Sequence, residues 1–271
     1  MKATIVRVTP EVAQNYLKNG GKNRKVDDDK VLFYTAMMEN GEWKENGEAI
    51  IFDKMGSLKD GQHRCHAIIK SNHSFWIPII TDVACDVMAT IDTGKNRSLS
   101  DILTINGFKN TSTLSAVIIM ILKRGDGLRF VNAQRSKTGV SNSFALDYCI
   151  KNEDALVRLV KESISLNKAQ PYSVLGVSKI AYGLYRIGGY DFTDVHINFI
   201  KHVLGNMHND GNAAQYLHKK LYNSRINKEP LNWTWVMAIF IKAWNLFIEG
   251  DPAVKYLQYD LKNPFPKVKI Q

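Results

Sequence analysis

Asp60, Gly61, Gln62, His63 and Arg64 stand in one run, and each residue type has a use in phosphate chemistry. Arg64 offers a two-pronged donor fork, and His63 can donate a hydrogen bond or move a proton near neutral pH. Gly61 lets an anion approach the backbone closely. The Asp60 carboxylate can cap a helix by accepting a free amide hydrogen. The run matters most if it opens a helix, because the first-turn N–H groups and the positive dipole end attract an anion. The expectation is a phosphate cradle of Gly61, Gln62, His63 and Arg64, with Asp60 and His63 as first choices for catalytic acid–base work. The plainer alternative is a hairpin followed by a capped helix, with His63 and Arg64 merely solvated.

The flanking elements fit that placement. Ala49 to Phe52 is β-branched and aromatic and reads as a strand, Asp53 to Gly56 as a turn, and Ser57 to Lys59 as a short returning strand. Ala67, Ile68 and Ile69 then carry the apolar face of a helix that Asn72 can close. Upstream, Thr4 to Val8 reads as a strand, and Thr9-Pro10-Glu11 supplies an N-cap, a first-position proline and an acid at the positive end. Gly20-Gly21 ends that helix. Asn23 and Arg24 follow in a basic loop and join the candidate phosphate contacts.

Asp27, Asp28 and Asp29 start the next helix, where the dipole favours acids. A metal cluster there is the sharper alternative, but three consecutive side chains fan out around a helix start. Val31, Phe33, Tyr34, Met37 and Met38 are expected to fill the buried side of this helix, and Trp43 to plug the hairpin beyond it. Phe75 to Val83 reads as a strand, with Pro78 marking an edge or a bulge. In Ile91 to Arg97, a turn presents Thr93 and Gly94 as further phosphate contacts, with Lys95 and Arg97 flanking it as two more donors. Asp92 there either caps the turn or positions a metal-bound phosphate. Ser98 to Asp101 then forms a capping box, opening a helix that ends near Asn106-Gly107.

The Asp-Gly-Gln-His-Arg run after a small hairpin resembles the signature of the ParB/sulfiredoxin superfamily, especially a branch frequent in phage proteins. The Ile-Asp-Thr-Gly segment from Ile91 to Gly94 is similar to the element that follows that helix in the same branch. The resemblance spans roughly the first hundred residues. It implies a Gly-x-x-Arg helix start that holds nucleotide phosphates, CTP in ParB and ATP in sulfiredoxin. Gly61, His63 and Arg64 match the Gly-Cys-His-Arg motif of sulfiredoxin, while Gln62 stands where its reactive cysteine would be. Cys65 lies on another side of the helix, so sulfinic-acid reduction is not expected.

The 271 residues allow one large domain or two ordinary ones, and 45% hydrophobic content permits a core without staples. Cys65, Cys85 and Cys149 show no pairing pattern, which fits a reducing compartment and argues against a disulfide framework or structural zinc. The opening apolar run is too short for a signal peptide, and no stretch approaches a membrane span. A cytoplasmic protein with no membrane partner is expected. Net charge is +10, of which residues 1–110 carry only +1 and the remainder +9. That imbalance points to a polyanion held by the second half.

From Thr111 onward only helical patterns remain: near 114–122, 143–151, 154–165, 174–187, 192–204, 213–226 and 234–247. A basic loop from Lys123 to Gly139 carries Lys123, Arg124, Arg129, Arg135 and Lys137, and is either a nucleic-acid contact or simply solvated. His218, Lys219, Lys220 and Arg225 give one helix a basic face. His196, His202 and His208 lie six residues apart and do not stack, so no metal is expected.

The expected architecture is α+β. A ParB/sulfiredoxin-like domain with a small mixed sheet covers residues 1–110, and an all-α bundle covers 111–271. Three functions compete. The first binds a nucleotide or nucleic-acid phosphate at the Asp60–Arg64 turn, with a nucleoside triphosphate and optional magnesium as cofactors, and grips nucleic acid, DNA favoured, through the helical half. The second is phosphoryl transfer or phosphodiester cleavage on the same site. The third is a non-enzymatic phage inhibitor of a host factor.

Overall fold

Thr9 accepts the Val12 N–H with its hydroxyl, and Pro10 takes the first helical position, so the chain turns directly from strand β1 (Lys2–Val8) into helix α1 (Pro10–Lys18). In this computed structural model, residues 1–20, 25–86, 97–124, 140–172, 174–205, 212–250 and 257–270 are described. The described residues form eleven helices and one four-stranded mixed sheet. Two compact units divide the chain. The first holds Met1–Arg97 together with residues 140–144, and the second begins at Ser98, not near residue 110.

In the first unit, Asp27 caps α2 (Asp28–Glu39) by accepting the N–H groups of Asp29 and Lys30. The acids at this helix start therefore act as cap and dipole partners. The chain continues through β2 (Ile50–Asp53), β3 (Leu58–Asp60), α3 (Gln62–Ser71) and β4 (Phe75–Val83). Strand order is β1-β4-β2-β3, with β4 antiparallel to β1 and parallel to β2. Pro78 lies inside β4, but pairing with β2 starts only at Ile79. The strand is one-sided up to the proline, whose missing N–H is tolerated there.

Period-two alternation sends Val8, Ile77, Ile79, Ile50 and Phe52 into a core shared with Ala13, Met38, Cys65, Ala67 and Ile68 of the helices. Helix α3 contacts both α1 and α2, so the helix that carries the motif is the best-anchored of the three.

The second unit is all-helical among the described residues: α4 (Leu99–Ile105), α5 (Thr111–Arg124), α6 (Asn142–Lys151), α7 (Glu153–Ala169), α8 (Val177–Gly188), α9 (Asp194–Val203), α10 (Ala213–Ile226) and α11 (Trp233–Ile248). Residues 142–144 of α6 are counted with the first unit and the rest of the helix with the second. Ser98 and Asp101 make the expected capping box on α4. Helix α8 touches α5, α7, α9 and α11 and buries Ile180, Ala181, Tyr182, Leu184 and Ile187. Residues 257–270 are draped along α11. Asn245 bonds Lys267 and Lys269, and the Trp244 indole donates to the Lys269 carbonyl. Among the described residues, no helix is long and apolar enough to cross a membrane.

Candidate functional site

Strands β2 and β3 join through a turn built on Asp53. Its carboxylate accepts the N–H of Met55 at 2.9 Å and of Ser57 at 2.8 Å, and pairs with the Lys59 ammonium at 2.9 Å. The Lys59 hydrogen bond, followed by that of Ser57, holds this carboxyl below the usual carboxylate range. Asp53 is therefore a turn-former. Beyond β3 the backbone enters Gly61 at φ +101°, where a Cβ would sit 2.7 Å from Ile50 Cγ1. Only glycine combines that conformation with that approach. The requirement comes from packing against β2, with no ligand needed to explain it.

The cap of α3 corrects the expectation for Asp60. Gly61 is the N-cap residue, and no side chain caps this helix. Asp60 instead turns its carboxylate to Arg64, whose Nη2 donates to it at 2.8 Å. The same Nη2 donates to the Ala49 carbonyl at 2.6 Å, and Nη1 to Glu48 at 3.1 Å. Arg64 is 7% exposed, and its Nε–H is buried without a hydrogen-bond partner. A buried donor left unpaired costs about 1–3 kcal/mol. The guanidinium expected to grip a phosphate thus holds three protein acceptors and leaves its buried Nε without one.

His63 is buried, and its Nε2 accepts the Asp27 N–H at 3.1 Å. The imidazole thereby ties the first turn of α3 to the cap of α2. Gln62 is half-buried on the same turn.

A cavity of about 550 Å³ lies over this turn, with Asp60, Gly61, His63 and Arg64 in its wall. Gln62 does not line it. The other walls carry residues the sequence reading did not select: Lys30, Phe33 and Tyr34 of α2, and Trp43, Lys44 and Glu48 of the segment leading to β2. Tyr34 and Trp43 meet edge to face with centroids 5.4 Å apart, and the Lys30 ammonium lies 5.6 Å from the Tyr34 ring. Ser141 closes one side by donating its hydroxyl to Glu42.

Phe33 and Met37 are half-buried, which corrects their expected place in the core; Tyr34 is half-buried but packs against the core, and Val31 and Met38 are buried. A signal for this was present, since apolar residues run right around α2 from Val31 through Leu32 to Met38. One stripe meets the core and a second meets the cavity.

The remaining candidates are scattered. Arg97 is exposed, and its carbonyl accepts from Asn142; it does not line the cavity. Asn23, Arg24, Asp92, Thr93, Gly94, Lys95, Arg129, Arg135 and Lys137 lie outside the described residues. In the second unit Lys123 is exposed near the end of α5, and Arg124 is the last residue of that helix.

Lys219, Lys220 and Arg225 are exposed on α10. At about 100° per residue they spread around its exposed side and do not form a stripe. His218 leaves the expected basic face, because its Nδ1 bonds the Val203 carbonyl at 2.9 Å. His196 stacks on Trp244 at 4.7 Å, and His202 is buried beside Phe247. Among the described residues, no group of three His, Cys, Asp or Glu side chains is placed to hold a metal ion.

In comparisons with known proteins, no family model, no curated protein and no solved structure matches this chain.

Proposed function

We propose that the first unit binds a nucleotide, or a nucleic-acid phosphate, in the cavity over the Asp60–Arg64 turn, and that the basic second unit holds nucleic acid, with DNA favoured. One observation carries the reading: Asp60, Gly61, His63 and Arg64, four of the residues singled out by their chemistry in the sequence, line this cavity together. Its volume of about 550 Å³ lies within the range of small-molecule sites. Tyr34 and Trp43 offer aromatic surface to a base, and Lys30 and Lys44 offer ammonium groups to phosphates. The resemblance to the ParB/sulfiredoxin superfamily supports the same reading.

The assignment of roles changes from the one the motif suggests. Lys30, Lys44 and the first-turn N–H groups of α3 are the phosphate contacts of first choice, and Arg64 organises the wall. Phosphoryl transfer or phosphodiester cleavage needs a base that is not committed to a structural partner. Asp60 is bonded to Arg64, and His63 Nε2 to Asp27. Binding is therefore the better-supported function.

The test is calorimetric titration of the full chain with ATP, CTP, GTP and deoxynucleoside triphosphates, with and without magnesium. Lys30→Ala and Lys44→Ala should each weaken the best ligand by about three- to tenfold. Absence of binding across the whole panel at about 1 mM, where even weak association registers, overturns the reading.

A further inference from the structure

The three acceptors around Arg64 are not equally fixed. The Ala49 carbonyl is backbone at the entrance to β2, and Asp60 ends β3 opposite Ile51 in the same sheet. Glu48 belongs to neither strand nor helix, and its side chain is 64% exposed. Two acceptors are therefore built into the sheet, while the third reaches Nη1 from a largely solvated position.

The charges in the cavity wall give that difference a consequence. Lys30, Lys44 and Arg64 face Glu42, Glu48 and Asp60, so the wall is formally neutral with His63 uncharged. If Glu48 turns out to water, the wall carries a net +1 and Arg64 regains a donor at Nη1. Asp60 and Ala49 still hold Nη2, so the guanidinium does not need to move far. Glu48 is the solvated partner of this half-buried pair and regains its hydration on leaving, so the pair opens at less cost than a fully buried one. A phosphate that also meets Lys30 and Lys44 is a stronger acceptor than that carboxylate.

We propose that Glu48 is an exchangeable latch on Arg64, which a phosphate-bearing ligand displaces and an uncharged one does not. This rests on the nucleotide reading of the cavity and adds how the site selects for negative charge. Before binding, Glu48 occupies the guanidinium and keeps the wall neutral. On binding, the ligand's phosphate takes Nη1 and the carboxylate swings out to solvent. No bond is made or broken covalently.

The experiment titrates ATP and adenosine into the full-length wild type, Glu48→Gln and Glu45→Gln. Glu45 is exposed, lies three residues away, does not line the cavity, and so controls for a general change in charge. Glu48→Gln keeps the length and an acceptor oxygen, and should bind ATP about two- to fivefold more tightly, as expected for relieving one ion pair whose carboxylate is largely solvated. Adenosine affinity should stay the same in all three proteins, as should ATP affinity in Glu45→Gln. Equal tightening in both variants, or no tightening in Glu48→Gln while the wild type binds ATP, overturns the latch and leaves the cavity reading standing. ATP binding by none of the three overturns the latch together with nucleotide recognition of this kind.

Discussion

His63 Nε2 accepts the backbone N–H of Asp27 at 3.1 Å, and this bond joins two helix starts that are 36 residues apart in the chain. Asp27 is the N-cap of α2, so the imidazole completes a cap that Asp27 begins with its own carboxylate. With Nε2 as acceptor, the ring proton of the neutral form sits on Nδ1. A nitrogen engaged in this way holds structure first.

His63→Ala should therefore lower stability by about 1–3 kcal/mol, the cost of leaving a part-buried N–H without its acceptor. His63→Gln, whose amide oxygen reaches nearly the same point, should recover part of that loss. Urea denaturation with an unchanged m-value separates this local effect from a change in the unfolded state. If both variants match the wild type in stability, the bond does not hold the two helices together.

Arg64 reverses one expectation drawn from the sequence. As a free phosphate fork, it could be cut to alanine with almost no change in melting temperature. Instead its buried guanidinium ties Glu48, Ala49 and Asp60 across the mouth of β2 and β3. Arg64→Ala should cost about 2–3 kcal/mol, less than a fully buried pair because Glu48 and Asp60 keep part of their hydration. Arg64→Lys should remain destabilised, since one ammonium cannot serve three acceptors in a fork geometry. Melting curves of the two variants beside the wild type decide this, and coincident midpoints would refute it.

What was legible in the sequence is what neighbouring residues decide among themselves. Thr9-Pro10 and Ser98 with Asp101 cap helices through contacts three residues apart, and both are present as read. The bounds of β4 and α10 follow from apolar runs bracketed by breakers. What escaped depends on distant partners. The cap of α3 passes from Asp60 to Gly61 because Ile50 crowds that point. The fate of Arg64 is set by Glu48, sixteen residues upstream. Phe33 and Tyr34 look like core by composition, and only the placement of Trp43 and Ser141 shows that a cavity lies beside them. Helix α7 runs a turn past the expected Ser165 to Ala169, because Leu166 is buried against the rest of its unit.

The thiols give a prediction that bears on whether the chain does sulfur chemistry. Burial pushes the Cys65 thiol up to about 12 and that of Cys149 up to about 11, while Cys85 is exposed. At about pH 8 the two buried groups are overwhelmingly protonated, and only a thiolate attacks a disulfide reagent. Native protein should release one equivalent of chromophore quickly from such a reagent, and urea-unfolded protein three. The same shifts favour the protonated form in the folded state, so stability should fall as pH rises above the ordinary thiol value of 9.0. Rapid native labelling of Cys65 would contradict its burial and reopen a redox role.

The final prediction concerns the charge imbalance between the two halves. Lys219, Lys220 and Arg225 project from α10 into solvent, so replacing them leaves the core of the second unit untouched. If this helix meets duplex DNA, each lost cation that faces the duplex removes about one phosphate contact and the counterion it released. The triple change Lys219→Glu, Lys220→Glu and Arg225→Glu should weaken duplex binding and make its dependence on log salt shallower by about 1 to 2 units. A narrow recognition stripe would predict three comparable and additive losses; their spread around the helix predicts unequal ones, largest at the residue that faces the duplex. Single variants titrated at several salt concentrations distinguish the two patterns. An unchanged slope in the triple variant would show that the polyanion, if bound at all, is held on another surface.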